Sequence, residues 1–373
     1  MMDDGTISVD RSRAEMTAGQ CDMARTSKIG RHTILEGDCL EILKGLPDQS
    51  FDVVVTSPPY NLNISYSTYQ DNLTESDYIR WIMEVCHSIK RVLRTDGSFF
   101  LNISGSSADP WIPFELITRL RKIFVLQNHI SWVKSITTND DSKGHFKPIS
   151  GNRFMHHNHE HIFHLTRTGN VHLDRLSIGI PFKDKSNISR WGHKKDVRCR
   201  GNTWFIPYKT VRSKSQKYNH PGTFPTQLPL WCIWLHGRSE PRVLDPFLGI
   251  GTTMVAGHDA GAVVTGIEID HHYAQLATER LEGHIANTMQ ITLNSAEMSE
   301  LLKQDPTTRS DGGFQALLVG LQDKLNKTTG QLSLTADELE RIPRYAFDYK
   351  NGGWEERLKA IFVRALGSTL RPH

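Results

Sequence analysis

The chain has 373 residues, 38% of them hydrophobic and 23% charged, with a formal net charge of +3. That length holds one large domain plus a smaller one or a large insertion, and the charge is too small to name a partner by itself. No run approaches the roughly 18 apolar residues of a membrane span, residues 1–30 lack the apolar core of a secretory signal, and the five scattered cysteines (Cys21, Cys39, Cys86, Cys199, Cys232) exclude a disulfide framework and a cysteine zinc site. A reducing cytoplasm is the expected compartment.

Residues 1–30 are polar and read as a disordered leader. His32 to Asp38 reads as a short strand ending in Gly37-Asp38, and Cys39 to Leu46 as a short helix. Phe51 to Thr56 (FDVVVT) is a continuous β-branched run, the mark of a strand buried on both faces of a parallel sheet. It meets Ser57-Pro58-Pro59-Tyr60, where two prolines stop the ladder. Thr74-Glu75-Ser76-Asp77 resembles a capping box. It opens a helix with Tyr78, Ile82, Val85, Ile89 and Val92 at helical spacing. Asp96-Gly97 turns the chain into a strand over Ser98–Ile103. A helix from Trp111 to Leu120 and a strand or strand pair from Phe124 to Val133 follow. Strand and helix alternate, which predicts an α/β, doubly wound, mostly parallel sheet.

From Ser135 to His220 periodicity fades, and 16 Lys and Arg stand against 6 Asp and Glu. Histidines and aromatics are interleaved among the cations. Periodicity returns with a helix over Pro229–His236. A short strand from Arg242 to Leu244 leads into Asp245-Pro246-Phe247-Leu248-Gly249-Ile250-Gly251-Thr252-Thr253. A second buried strand over Ala262–Ile269 and a helix over Tyr273–Leu281 complete the α/β pattern. The predicted layout is a catalytic domain made of 31–134 and 221–290, interrupted by a basic insertion at 135–220. Residues 294–373 form a small helical C-terminal segment with 11 basic and 11 acidic residues. Its helices are expected at Phe314–Leu325 and Trp354–Leu366, after a linker at Pro306–Gly313.

The glycines after Asp245 stand where a strand turns into a helix, and glycine allows a ligand to approach the backbone closely. Glu268, at the end of the next strand, is placed to accept from both hydroxyls of a ribose. A plain structural turn with a capping acid is an equal reading of those residues alone. Ser57-Pro58-Pro59-Tyr60 alone reads most simply as a proline turn.

Taken together and in order, these segments resemble the amino-methyltransferases of DNA. That family carries an (Asp/Asn/Ser)-Pro-Pro-(Tyr/Phe) tetrapeptide at the end of a buried strand. The Asp-Pro-Phe-x-Gly-x-Gly segment resembles its cofactor loop. His220-Pro221-Gly222-Thr223-Phe224-Pro225 with Leu228-Pro229 resembles the segment before that loop, and Gly37-Asp38 the turn whose acid contacts the cofactor's adenine. The tetrapeptide precedes the basic insertion and the cofactor loop comes last, as in the permuted beta class. The resemblance covers about residues 30 to 285. It implies a Rossmann-like methyltransferase sheet and S-adenosyl-L-methionine as cofactor, held by Asp38, Asp245, Phe247, Gly249, Gly251, Thr252 and Glu268. It implies catalysis at Ser57, Pro58, Pro59 and Tyr60, on a base extruded from double-stranded DNA. The insertion becomes a target-recognition region, with Lys143, Lys147, Arg153, Arg190, Lys194, Lys195, Arg198, Arg200 and Lys214 as DNA-binding candidates. It further implies homodimers, a nucleoid-associated location with no membrane partner, and a cognate restriction endonuclease as a companion.

The residue types suit the chemistry. An exocyclic amine on a base is a poor nucleophile because its lone pair is delocalised into the ring. Acceptors for its N–H groups favour a more tetrahedral nitrogen, and the Ser57 hydroxyl oxygen and the Pro58 carbonyl are the candidates. Prolines hold these acceptors rigidly, and Tyr60 offers a flat face to an extruded base. Within the family, serine at this position is usual for N4 of cytosine and aspartate for N6 of adenine. Adenine N6 is the alternative target, and a non-catalytic DNA-binding protein of the same fold the more distant one. Relatives acting on protein glutamine or RNA guanine carry Asn before the prolines and reverse the motif order. His156-His157-Asn158-His159-Glu160-His161 reads as the polar start of a strand rather than a zinc site, no metal being expected. Trp191 and Trp204 are open between DNA contact and core.

Overall fold

The computed structural model describes residues 25–61, 72–106, 109–139, 141–144, 146, 152–190, 196–207, 223–348 and 352–370. In chain order the elements open with β1 Arg25–Ile29, β2 His32–Glu36, α1 Cys39–Gly45, β3 Phe51–Thr56, α2 Glu75–Val92, β4 Leu93–Ile103, α3 Ile112–Leu120 and β5 Val125–Val133. They continue with β6 Ser135–Thr138, β7 Asp141–Gly144, β8 His159–Thr166, α4 Ser186–Arg190, β9 Thr203–Phe205 and α5 Gln227–His236. The cofactor-loop half supplies β10 Arg242–Asp245, α6 Thr252–Asp259, β11 Val263–Glu268 and α7 His271–Ala286. The chain closes with β12 Thr288–Thr292, α8 Ser295–Leu302, α9 Gly313–Lys324, β13 Gln331–Thr335, α10 Ala336–Phe347 and α11 Gly352–Leu366.

Nine strands form one sheet in the order β1-β2-β11-β10-β3-β4-β8-β5-β9. The run β2-β11-β10-β3-β4 is parallel throughout. β8 is antiparallel to both neighbours, β4 and β5, and β1 is antiparallel to β2. This is the doubly wound, mostly parallel α/β sheet that the alternation of elements predicts. β3 is buried at every position, as its unbroken apolar run requires. Helices α1, α2 and α3 cover one face through Leu43, Ile82, Ile89 and Leu116. On the other face α5, α6 and α7 pack through Trp231, Met254 and Ala277. The chain therefore leaves β3 toward one face and β10 toward the other, although β3 and β10 are paired neighbours. Such a switch point opens a crevice at the carboxyl ends of the two strands, where ligands of open α/β sheets bind.

The elements cross three of the expected boundaries. Residues 135–220 are not wholly outside the sheet: β8 fills the gap between β4 and β5, and β9 extends the far edge. The polar run from His159 is indeed the start of a strand. The polar leader gives way to strand by Arg25, because β1 folds back on β2 as an edge hairpin; residues 1–24 lie outside the described residues. The C-terminal segment has its own apolar core, with Leu301, Leu318, Leu334, Ile342 and Phe362 at its centre. It starts earlier than expected, at Thr288, and adds the antiparallel pair β12–β13 to its helices. No helix among the described residues is long and apolar enough to cross a membrane.

Candidate active site

Thr56 and Asp245 end the two strands that flank the switch point. The Thr56 hydroxyl donates to Asp245 Oδ1 at 2.7 Å, and the Thr253 hydroxyl donates to Oδ2 at 2.6 Å. The Phe247 N–H also donates to Oδ1, at 3.1 Å. Asp245 is 1% exposed, and burial pushes its carboxyl up to about 6. Its part is to shape the loop from behind and to lock it to the tetrapeptide strand, rather than to face a ligand.

The loop then turns on Gly249 (φ +54°) and Gly251 (φ +77°), left-handed positions that favour glycine. The Glu268 carboxylate closes over it, accepting from Gly249 N–H at 2.7 Å and from Asp270 N–H at 2.9 Å. Burial raises Glu268 to about 7 against the pull of those amides. The Gly37 N–H donates to the Glu268 carbonyl at 2.9 Å, which brings the Gly37-Asp38 turn beside it. The Asp38 carboxylate caps α1, accepting from Leu40 and Glu41 N–H groups. Thr252 is buried, and its hydroxyl accepts from Arg280 at 3.0 Å, which ties the loop to α7. The Phe247 ring meets Trp81 of α2 edge-on, with centroids 5.4 Å apart.

Across the crevice Ser57-Pro58-Pro59-Tyr60 leaves β3. The Tyr78 hydroxyl of α2 donates to the Pro59 carbonyl at 2.8 Å and anchors the turn. The Ser57 and Tyr60 hydroxyls lie 2.7 Å apart. Three residues absent from the sequence expectations complete this cluster. The Tyr60 hydroxyl donates to Glu160 Oε2 at 3.0 Å. The Asn102 amide donates to the Tyr60 oxygen at 2.6 Å and to Glu160 Oε2 at 2.9 Å. Lys134 pairs with Glu160 Oε1 at 3.1 Å. The signals for them were slight: a polar residue closing the apolar strand β4, and an acid at one of the alternate positions of β8 that share a face with Ile162.

The DNA-binding candidates scatter. Lys143 is exposed on the β6–β7 hairpin beside Asp141. The Arg153 guanidinium lies over Phe154, 4.8 Å from its centroid, and Arg190 and Arg198 are exposed. Arg200 is packed against the protein: its guanidinium sits 4.1 Å over Trp231 and donates to the Ile178 carbonyl. Trp204 is core, 1% exposed and edge-on to Trp231. Lys147, Lys194, Lys195, Lys214, Trp191 and His220 to Gly222 lie outside the described residues.

A glycine loop capped by an acid, facing a rigid Ser-Pro-Pro-Tyr turn across a switch point, defines an α/β group-transfer enzyme with a nucleoside cofactor. Residues 51–279 match the DNA methylase family N6_N4_Mtase, and the chain belongs to it. The type II methyltransferase M.ScaI of Streptomyces caespitosus is 27% identical over 263 residues, which span 67% of this chain and 81% of that protein. The DNA adenine methyltransferase YhdJ of Escherichia coli (strain K12) is 27% identical over 259 residues, 67% of this chain and 82% of that protein. The solved structure of a PvuII DNA methyltransferase, described as cytosine-N4-specific, superposes with a TM-score of 0.50 at 17% identity, covering 68% of this chain and 91% of that one; the likeness is one of fold.

The chain is a DNA methyltransferase dependent on S-adenosyl-L-methionine. The site suits that cofactor. Each Glu268 oxygen, after one backbone bond, keeps acceptor capacity for a ribose hydroxyl. Asp38 offers a further carboxylate to an adenine amine, and Phe247 and half-exposed Ile269 offer apolar faces.

Proposed function

We propose that this enzyme methylates the exocyclic N4 amino group of cytosine in double-stranded DNA, on a base flipped out of the helix. The observation that carries the reading is the neutral hydroxyl of Ser57 at the tip of β3, held rigidly opposite the Gly249–Gly251 loop by the Thr56–Asp245 bond. The names of the relatives include adenine as well as cytosine enzymes, so the base rests on Ser57.

When bound, the cofactor supplies an electrophilic methyl group. The Ser57 oxygen and the Pro58 carbonyl accept from the amine, drawing its lone pair out of conjugation. The Tyr60 ring stacks on the base, and the proline turn fixes all three, so that alignment for direct in-line transfer is the main contribution. Lys143, Arg153, Arg190 and Arg198 contact phosphates or base edges, with Lys147, Lys194, Lys195 and Lys214 completing the basic region. A homodimer, a cognate endonuclease and a place on the nucleoid belong to the same proposal, by analogy with the type II relatives.

The test is expression in a host that lacks DNA methylation, followed by nucleoside mass spectrometry. N4-methylcytosine is the expected product. N6-methyladenine alone would overturn the base assignment, and no methylated nucleoside from a folded, cofactor-binding protein would overturn DNA as the substrate. Ser57→Ala should lower the single-turnover rate on the order of a hundredfold and leave cofactor affinity unchanged; a fully active variant removes Ser57 from its role.

A further inference from the structure

The hydrogen bonds behind the tetrapeptide have a direction. Asn102 is 2% exposed, and its amide nitrogen faces both Tyr60 and a Glu160 carboxylate oxygen. Turning the amide over would set its oxygen against that carboxylate, so the nitrogen must be on this side. An amide nitrogen only donates. Asn102 therefore occupies one lone pair of the Tyr60 oxygen, and Glu160, which accepts, takes the hydroxyl proton. Because the Tyr60 proton goes to Glu160, the 2.7 Å contact between Tyr60 and Ser57 has Ser57 as its donor. With its own proton committed to Tyr60, Ser57 can only accept: one lone pair faces the Asn102 amide nitrogen at 3.4 Å, and the other is left for the target amine. The Lys134 ammonium on Oε1 holds the carboxylate in place.

We infer that Ser57, Tyr60 and Glu160 form the exit path for the proton that the target amine must lose, with Glu160 its terminal acceptor and Asn102 and Lys134 as positioning residues. This rests on the reading of the site as an amino-methyltransferase. As the nitrogen bonds to the methyl carbon, the methyl–sulfur bond breaks and its electron pair stays on sulfur, so the nitrogen gains a positive charge and carries one proton too many. That proton passes to the Ser57 oxygen, the Ser57 proton to Tyr60, and the Tyr60 proton to Glu160, which ends as a neutral carboxylic acid. Both hydroxyls finish with one proton each, and Glu160 returns its proton to solvent before the next turnover. An amine conjugated to a pyrimidine or purine ring is very weakly basic, so its protonated form is strongly acidic. A carboxylate paired with an ammonium is base enough to receive from it.

Three variants test the path: Glu160→Gln, which keeps the side chain's shape; Tyr60→Phe, which keeps the stacking ring; and the double variant. Each is measured in single-turnover methyl transfer with pre-bound DNA, in light and heavy water. Calorimetric binding of S-adenosylhomocysteine and fluorescence of an analogue base at the target position report cofactor affinity and base extrusion independently of activity. The path predicts a rate about a hundredfold lower in each single variant, the double variant no slower than the worse single one, and loss of the solvent isotope effect. Cofactor affinity and base extrusion stay within about twofold of wild type. An active wild type with a fully active Glu160→Gln or Tyr60→Phe overturns the path alone, as do multiplicative losses in the double variant. A wild type that binds cofactor and methylates no base overturns the underlying reading instead.

Discussion

Glu268 carries two tasks that pull in opposite pH directions. Its carboxyl, ordinarily near 4.5, is pushed by burial up to about 7. Between those values the unfolded chain has released the proton while the folded chain retains it. The stability that Glu268 contributes to the cofactor-free protein is thus full below about 4.5 and lost as pH rises to about 7, a change of a few kcal/mol. Cofactor binding should run the other way, because ribose hydroxyls donate best to the ionised carboxylate. Affinity for S-adenosylhomocysteine is expected to rise up to tenfold per unit as pH approaches about 7 and to level off above it. Calorimetric titrations from mildly acidic to mildly alkaline pH check this, and a flat profile would remove Glu268 from the ribose contact. The sequence announced Glu268 through its place at the end of a buried strand after a glycine turn. It did not announce Asn102 or Glu160, because neither has a motif. They become site residues only when β4 and β8 pair and set Asn102 opposite Ile162, one position along the same face from Glu160.

At the level of elements, the cofactor loop depends on how closely α6 and α7 approach. A Cβ on Gly251 would lie 2.9 Å from Ala277 Cβ, at a backbone φ of +77° that L side chains resist. Gly251→Ala should therefore cost about 1–3 kcal/mol, shift the loop away from α7, and weaken cofactor binding at least tenfold. The expected readouts are a lowered melting temperature and a raised dissociation constant; unchanged values for both would show that the loop yields without loss. The elements that carry this geometry were readable along the chain, since FDVVVT, the α2 stripe and the strand from Val263 each announce their own period. β8 was readable as a strand with a polar start, but its place was not: it lies in a basic stretch and runs against its neighbours. What placed it was the slot between β4 and β5, a partner choice that local periodicity does not encode.

At the scale of the whole molecule, the C-terminal module is attached through a polar junction. The Lys327 N–H donates to the Ser177 carbonyl at 3.1 Å, and the Ala336 N–H donates to the Asn287 carbonyl at 2.9 Å. The balanced charge of this segment gave no hint that one of its lysines is buried here. Lys327 is 7% exposed, with its ammonium donating to the Gln322 carbonyl at 3.1 Å. Burial, with Arg200 nearby, lowers it from 10.5 to about 8. The unfolded chain therefore holds this proton more firmly than the folded one. The cost is full below about 8 and disappears as pH rises toward 10.5. Lys327→Met has similar length and no charge to desolvate. Against the loss of one hydrogen bond to Gln322, it should stabilise the protein at neutral pH by about 1–3 kcal/mol, seen as a melting temperature higher by a few degrees. The advantage should shrink steadily as pH climbs past about 8. A destabilised variant, or a difference that does not change with pH, would mean that the Lys327–Gln322 bond outweighs the desolvation of the ammonium and that the junction is held by this cation rather than in spite of it.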